Sequence, residues 1–341
     1  MSRRIVIAFM AVVMMFAASC QRRPFGDKTT GVNLLLRVNT RVVNNNDVQM
    51  PDVMRVDLYD PVTGALKYTD YLGATGGYIY PSPGTYDVIV YNVGTESTQI
   101  RNESNFSKVE AYTSDVSMFL RAQLAKFLEK RAQARAERER ARAEAQGRTK
   151  GEDPQTSAPV ERIVYEPDYL FVGHARGAEI PVLLDDEEQR EVVLEVDAHS
   201  VVETWKVSAV NIKGMEYVQS VVAIISGQVG SRFIGTEECS DHVVSIYFEM
   251  QKNTAESTVH GTFNTFGKHP MEQAEISFDL RVTDISGEEH HYHFDVDDQF
   301  ENNSDFHIVV DEPIEVEKPS GGGGFAPSVE DWEEVRTEIN L

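Results

Sequence analysis

Residues 276–296 read ISFDLRVTDISGEEHHYHFDV. Ile276, Phe278, Leu280 and Val282 alternate with Ser277, Asp279 and Arg281, and further on Tyr292, Phe294 and Val296 alternate with His293 and Asp295. A period of two marks a strand with one face on a core and the other on water. The polar stretch between the two runs contains Ser286-Gly287, so the segment predicts a hairpin whose apolar faces meet one core.

The same pattern recurs outward in both directions. Val192, Leu194 and Val196, then Trp205, Val207 and Ala209, then Val244, Ile246, Phe248 and Met250 each mark the apolar face of a strand. With the hairpin they predict a C-terminal β-sandwich over residues 160–320. Nearer the start, Val32, Leu34, Leu36 and Val38 alternate with polar neighbours, and Met54, Val56 and Leu58 run into Asp60-Pro61-Val62-Thr63-Gly64. Tyr78-Ile79-Tyr80 leads through Pro81-Ser82-Pro83-Gly84 to Tyr86, Val88 and Val90. Pro and Gly supply the turn dihedrals there, and residues 30–116 read as a small antiparallel sandwich. Between these units, from 117 to 146, there is no Pro or Gly, and Leu120, Leu124, Phe127 and Leu128 recur at helical spacing. This is a helix followed by a polar linker, residues 117–159 in all. The fold class is therefore all-β: two β-sandwich domains joined by a long basic helix.

The 341 residues carry 55 Asp plus Glu against 32 Lys plus Arg, a formal net charge of −23. That sign excludes a protein that grips phosphates along its surface, so no nucleic-acid partner is expected. Residues 121–150 run the other way, with ten Lys or Arg against four Glu. A solvated helix leaning on its own acidic domains accounts for this arm better than a lipid-binding one. Two cysteines, Cys20 and Cys239, are too few for a disulfide framework or a thiolate zinc site.

Arg3 and Arg4 precede fourteen apolar residues, 5–18, too short to span the hydrocarbon but suited to a signal peptide, residues 1–19. Ala17-Ala18-Ser19-Cys20 resembles a bacterial lipobox, which makes Cys20 the acceptor of a diacylglycerol anchor at the head of a leader, 20–29. At the other end, the chain from 321 onward opens with four glycines, Gly321 to Gly324. It closes on Val335, Thr337, Ile339 and Leu341, one stripe of a short strand suited to pairing with a sheet edge. That edge belongs either to this molecule or to a neighbour.

Chemistry is sparse. His291, His293 and Asp295 share a strand face, but with Tyr292, Phe294 and Val296 in the core that face is the solvent side, and no metal is expected there. Gly227-Gln228-Val229-Gly230 lacks the spacing of a nucleotide-binding turn and reads as a loop. No Gly-x-Ser-x-Gly elbow or His-Glu-x-x-His occurs, so no catalytic residue is assigned and no cofactor is expected. Trp205 and Trp332 could stack on sugars, although a Trp on a sandwich strand is more often buried.

Several stretches together resemble the Bacteroidales fimbrillin-family outer-membrane lipoproteins, in particular the group related to pilus anchor and minor subunits. They are Cys20, Val56-Asp57-Leu58-Tyr59-Asp60, Pro83-Gly84-Thr85-Tyr86, Tyr91-Asn92, Glu166-Pro167-Asp168, Phe263-Asn264-Thr265-Phe266-Gly267, Phe294-Asp295-Val296, and the end around Gly322 and Asp331-Trp332-Glu333. The resemblance implies two transthyretin-like or Ig-like β-sandwich domains and a non-enzymatic role in anchoring or assembling fimbriae by strand exchange. The partners it implies are the outer membrane, through the lipid, and fimbrial subunits. A surface glycan-binding lipoprotein is the alternative.

Overall fold

The computed structural model describes residues 34–41, 48, 50–145, 161–182, 192–270, 276–300 and 303–319. Cys20, Trp332 and the closing stripe of Val335, Thr337, Ile339 and Leu341 lie outside these residues. The described residues open with strands β1 (Leu34–Arg41), β2 (Val53–Tyr59), β3 (Leu66–Gly73), β4 (Gly77–Ile79), β5 (Gly84–Asn92), β6 (Thr98–Arg101) and β7 (Glu110–Thr113). Helices α1 (Met118–Gln123) and α2 (Ala125–Ala145) follow, then β8 (Ile163–Tyr165), β9 (Phe171–Ile180), β10 (Val192–Ser200), β11 (Glu203–Ala209) and β12 (Val218–Val229). The rest is β13 (Ser231–Phe233), β14 (Val243–Asn253), β15 (Thr258–Thr265), β16 (Ser277–Asp284), β17 (Glu289–Asp295), α3 (Asp297–Phe300) and β18 (His307–Val310). The protein is predominantly β.

Seven strands form the first sheet in the order β3-β2-β5-β9-β10-β1-β4. Its two end strands are consecutive in the chain and bridged at Gly73 and Gly76, so the sheet curls round. Met54, Val56 and Leu58 of β2, Val88 and Val90 of β5, and Val196 and Ala198 of β10 fill the inside. The alternation of Val192, Leu194 and Val196 is present, but the placement read from it is corrected. β10 lies parallel to β1 along its whole length, Leu34 opposite Val192 and Arg41 opposite His199, and belongs to the first sheet. β9 joins it there, antiparallel to β5. The first sheet is thus drawn from both sides of the helix and not from residues 30–116 alone. β6 and β7 leave it to form a three-stranded sheet with β13. Periodicity names a buried face; it does not name the sheet that buries it.

The second sheet has eight strands, β17-β16-β12-β14-β15-β11-β18 with β8 added on β14. β14 and β15 pair only from Gln251–Asn253 to Thr258–His260, and the sheet turns there so that both halves face one core. That core takes Val207, Ala223, Ile225, Ile246, Phe248 and Phe263 among its fully buried members. The hairpin expected at 276–296 is present, with Phe278 opposite Phe294 and Leu280 opposite Tyr292. Trp205 is 4% exposed and stacks on Phe300 at 4.1 Å, so it is a core residue and not a sugar platform. The stretch at Gly227 is not a loop. It is the end of the twelve-residue β12, where Gly227 at φ +73° forms a bulge between Ile225 and Gln228.

The helices cover the outer face of the second sheet. Ser117 caps α1 by accepting from the Leu120 N–H at 3.1 Å. Leu124 and Phe127 then bury against Val222 and Ile224 of β12 and Ile163 of β8. This overturns the reading of the His291 face as solvent-exposed. The His291 ring lies 5.1 Å from that of Phe127, and its side chain is 10% exposed. Alternation chose the correct core face, but a helix from elsewhere in the chain covers the other.

A third core joins the two sheets. Tyr59, Ile89, Tyr91 and Val172 on the outside of the first sheet meet Ala111 of the small sheet and Val229 of the second, with Ile234 just after β13 and Phe266 just after β15. Burying a large apolar side chain stabilises by roughly 1.5–3 kcal/mol, so a junction of this size holds the sheets as one body. At Gly235 the chain passes so close that a Cβ would sit 1.8 Å from the Phe106 carbonyl oxygen, which only glycine permits.

Candidate functional site

Four of the motifs that carry the sequence resemblance meet at this junction, those around Asp57-Leu58-Tyr59, Tyr91-Asn92, Glu166-Pro167-Asp168 and Asn264-Thr265-Phe266, and each of these has a structural task. Asp57 is fully buried and accepts from Arg55 Nε at 3.0 Å, Thr69 Oγ1 at 2.7 Å and the Tyr91 hydroxyl at 3.1 Å. Arg55 also pairs with Glu103 at 2.6 Å, and the Tyr59 hydroxyl donates to the Glu103 carbonyl at 2.9 Å. Burial, then the charge of Asp57, pushes the Tyr91 hydroxyl far above its ordinary range, so it stays a donor at every physiological pH. Asn92 stitches β5 to β9, accepting from Phe171 N–H at 2.7 Å and donating to the Tyr169 carbonyl at 3.1 Å.

Glu166-Pro167-Asp168 spans the junction. Asp168 accepts from the N–H groups of Ser97 and Thr98 at 2.5 and 2.9 Å on one side. Glu166 and the Pro167 carbonyl hold the backbone and side chain of Asn264 on the other, both at 3.0 Å. Burial raises the Glu166 carboxyl above its usual range despite the Asn264 bond. These carboxylates clamp backbone; none is paired with a nucleophile or a second acid in a reacting geometry.

Under α2 sits a charged network. Arg131, 8% exposed, pairs with Glu161 and Asp279, both at 3.0 Å, and His293 donates from Nδ1 to Asp279 at 2.6 Å. Arg121 reaches the Glu161 carbonyl at 3.0 Å. The first turns of the basic arm thus lie on acidic groups of their own sheet. Burial, with the Lys130 charge second, holds the His291 imidazole down to about pKa 4. Unfolded histidine titrates near 6.5, so between those values the unfolded chain binds the extra proton. This contribution is complete above about pH 6.5 and is lost as pH falls toward 4. Allowing for solvent screening, the expected loss is about 1–2 kcal/mol. Urea denaturation at pH 7.5 and 5.0 checks it, with the slope flattened in His291→Leu.

One group of metal-ligand type is close-packed among the described residues: Asp284, Glu288 and His290. It is explained by the hairpin turn. Asp284 accepts from the Ser286 N–H and hydroxyl and the Glu288 N–H at 2.7–3.0 Å. Burial alone would raise this carboxyl, but the bonds from Ser286, Glu288 and His290 hold it down to about 2.

Free sheet edges are the other resource. β18 is an edge strand already blocked by a side chain: Gln299 donates to the Val309 carbonyl at 3.0 Å and accepts its N–H at 2.8 Å. β17 is different, since among the described residues no strand pairs with its outer side. The chain passes close by at its described end. Lys213 N–H donates to the Ile314 carbonyl, Val316 N–H to that of Lys213, and the Tyr292 hydroxyl of β17 to that of Glu315 at 2.6 Å. Gly214 at φ +74° allows this approach, since a Cβ would meet the Val316 carbonyl oxygen at 1.9 Å. A cleft of about 730 Å³ lies elsewhere, walled by Tyr165 and Tyr247 and lined by Lys206, Glu249, His260 and His307. No helix among the described residues is long and apolar enough to cross a membrane.

Residues 37–249 match the family described as a domain of unknown function, DUF5119. A Bacteroides ovatus protein provisionally named fimbrium anchoring subunit Fim4B is 27% identical over 320 residues, 83% of each chain. The crystal structure of a provisionally named adhesin from the same species superimposes with a TM-score of 0.58 at 23% identity, covering 89% of this chain and 98% of that one. The fimbrial anchor protein Mfa2 of Porphyromonas gingivalis gives 0.45 at 14% identity over 81% and 90%. The resemblance to Bacteroidales fimbrial proteins read from the sequence is found again here.

Proposed function

The chain belongs to the DUF5119 family, and on that footing we propose that it is a non-enzymatic structural protein of the outer membrane, lipid-anchored through Cys20, that holds a fimbrial subunit at the cell surface. Its two larger sheets correspond in this reading to the two transthyretin-like units of such proteins. The architecture supports a load-carrying role: conserving shape between the ends takes a rigid body, and the shared core and the Glu166-Pro167-Asp168 clamp supply one. The name of the Bacteroides ovatus relative points the same way.

Strand exchange is the coupling we propose. The observation that carries it is the described end of the chain, tied by Glu315 to Tyr292 beside the outer side of β17. From there the tetraglycine tether gives the stripe of Val335, Thr337, Ile339 and Leu341 its reach. A donated strand gains main-chain hydrogen bonds on the partner's edge and buries alternate side chains.

Deleting residues 328–341 tests this. A donated strand leaves the melting temperature within a few degrees and abolishes co-purification with the fimbrial subunit. A strand that closes its own sandwich on β17 instead lowers the melting temperature by roughly 5 °C or more and leaves association in place. The aromatic walls of the Tyr165–Tyr247 cleft favour glycan binding as a second reading. A glycan-array signal lost in Tyr247→Ala would support that alternative.

A further inference from the structure

Tyr71 to Tyr86 is a run of sixteen residues without a single Asp, Glu, Lys or Arg, in a chain of which 26% is charged. It covers the end of β3, all of β4 and the start of β5, at the seam where the first sheet curls round. Leu72 and Ile79 point into the core of that sheet, so the residues beside them face outward. Tyr71 and Tyr78 each stand two residues from the Gly73–Gly76 bridge. Tyr78 pairs with Leu35 of β1, and Leu35 pairs with Val193 of β10. One outward row therefore crosses four strands, with Tyr80 at its flank. Tyr71, Tyr78, Tyr80 and Val193 are 48–58% exposed.

Large exposed rings gathered into one patch mark a contact surface. This patch is held in place from below. The Tyr80 N–H donates to the Tyr68 hydroxyl at 3.2 Å, that hydroxyl donates to Asp70 at 2.6 Å, and Ile79 between the two tyrosines is fully buried. The patch also lies clear of the junction, which takes the outward residues of β2, β5 and β9. In the curled sheet those strands are opposite β1 and β4. β1 begins at this face, since Leu34 pairs with Ile79. Thirteen residues, 21–33, separate Leu34 from Cys20. Even fully extended they reach at most about 45–50 Å. A lipid on Cys20 thus tethers the molecule from the tyrosine face and not from the second sheet.

We infer that Tyr71, Tyr78, Tyr80 and Val193 form a membrane-resting face, whose partner is the headgroup boundary of the bilayer that holds the anchor. This rests on the lipidation of Cys20 proposed above. Tyrosine suits that boundary because its ring is apolar and its hydroxyl is wet. Charge selects the same face. A body of net charge −23 is repelled by anionic headgroups, and its uncharged surface is the part that approaches them most closely. The lipid limits how far the protein strays from the membrane; the tyrosine face sets which way it points. With that face down, the junction and the second sheet beyond it are turned outward, toward a partner.

Full-length protein extracted in detergent and reconstituted into phosphatidylethanolamine–phosphatidylglycerol vesicles tests the face, with brominated phosphatidylcholine added to quench tryptophan at the bilayer boundary. Tyr78→Trp is compared with Phe119→Trp, an equally conservative change at an exposed ring of α1 over the second sheet. Flotation with the vesicles reports the anchor separately from the face. Expected is that both variants float and that Tyr78→Trp loses at least about half of the emission it adds to that of the native tryptophans, with a blue shift, as a ring at the membrane interface does, while Phe119→Trp is unchanged. Flotation without quenching of Tyr78→Trp, or with quenching of Phe119→Trp to the same degree or more, overturns the membrane-resting face and leaves the anchor standing. Self-association lost in Tyr78→Ser would then give the patch to a second copy of the chain. Failure of both variants to float overturns the anchor, and the face falls with it.

Discussion

Replacing Asp57 by alanine lowers the stability of the protein by about 3–5 kcal/mol, the scale seen when one partner of a buried charge pair is removed. The carboxylate is the acceptor for Arg55, Thr69 and Tyr91, and no other carboxylate is within the buried part of the network. Without it, the Arg55 Nε–H loses its acceptor and the Tyr91 hydroxyl keeps only a long contact to Glu103 Oε1 at 3.5 Å, while Glu103 also holds the outer end of the guanidinium. The network sits on the outer face of the first sheet, directly beneath the shared core that includes Tyr59 and Tyr91. The loss should therefore loosen the junction between the sheets, not one sheet alone. Urea denaturation followed by far-UV circular dichroism measures the effect, and protease sensitivity in the segments around residues 103 and 235 locates it. A loss below about 1 kcal/mol would place Asp57 among ordinary surface ion pairs and contradict the structural account of the motif.

The strands of this protein were legible where their two faces differ. Met54, Val56 and Leu58, and the hairpin at 276–296, state their buried face in the sequence because one side meets a core and the other is polar. β9 is hidden by its composition: Gly173, His174, Arg176 and Gly177 break the period, since its outer face is packed at one end and exposed at the other. β12 is hidden for the opposite reason. Its residues from Val221 to Ile225 are buried on both faces, by the sandwich core and by the cover of α1 and α2, so no alternation survives. Non-local cover also explains the error at His291 and His293. Nothing within residues 289–295 shows that Phe127 and Arg131, more than 150 positions earlier, lie across that face. The parallel pairing of β10 with β1 is invisible in the same way. Of the candidate site, the motif residues were legible as a set, while the meeting of four of the motifs at one junction emerged only from the fold.

In the proposed role the protein is held at a membrane by its N-terminus and works from its far end. Lipid attachment at Cys20 is the premise of that proposal. Each buried methylene of an acyl chain contributes about 0.8 kcal/mol, and one myristoyl chain gives only marginal binding, so stable attachment needs the two or three chains of a bacterial lipoprotein. Removing the acceptor thiol removes all of them at once, and the change is from complete anchoring to none. The most direct measurement is metabolic labelling with a fatty-acid probe in cells producing the native protein or Cys20→Ala. A labelled, membrane-bound native protein is expected beside an unlabelled variant that is soluble or unprocessed in the periplasm, whereas equal labelling of the two would refute anchoring through Cys20.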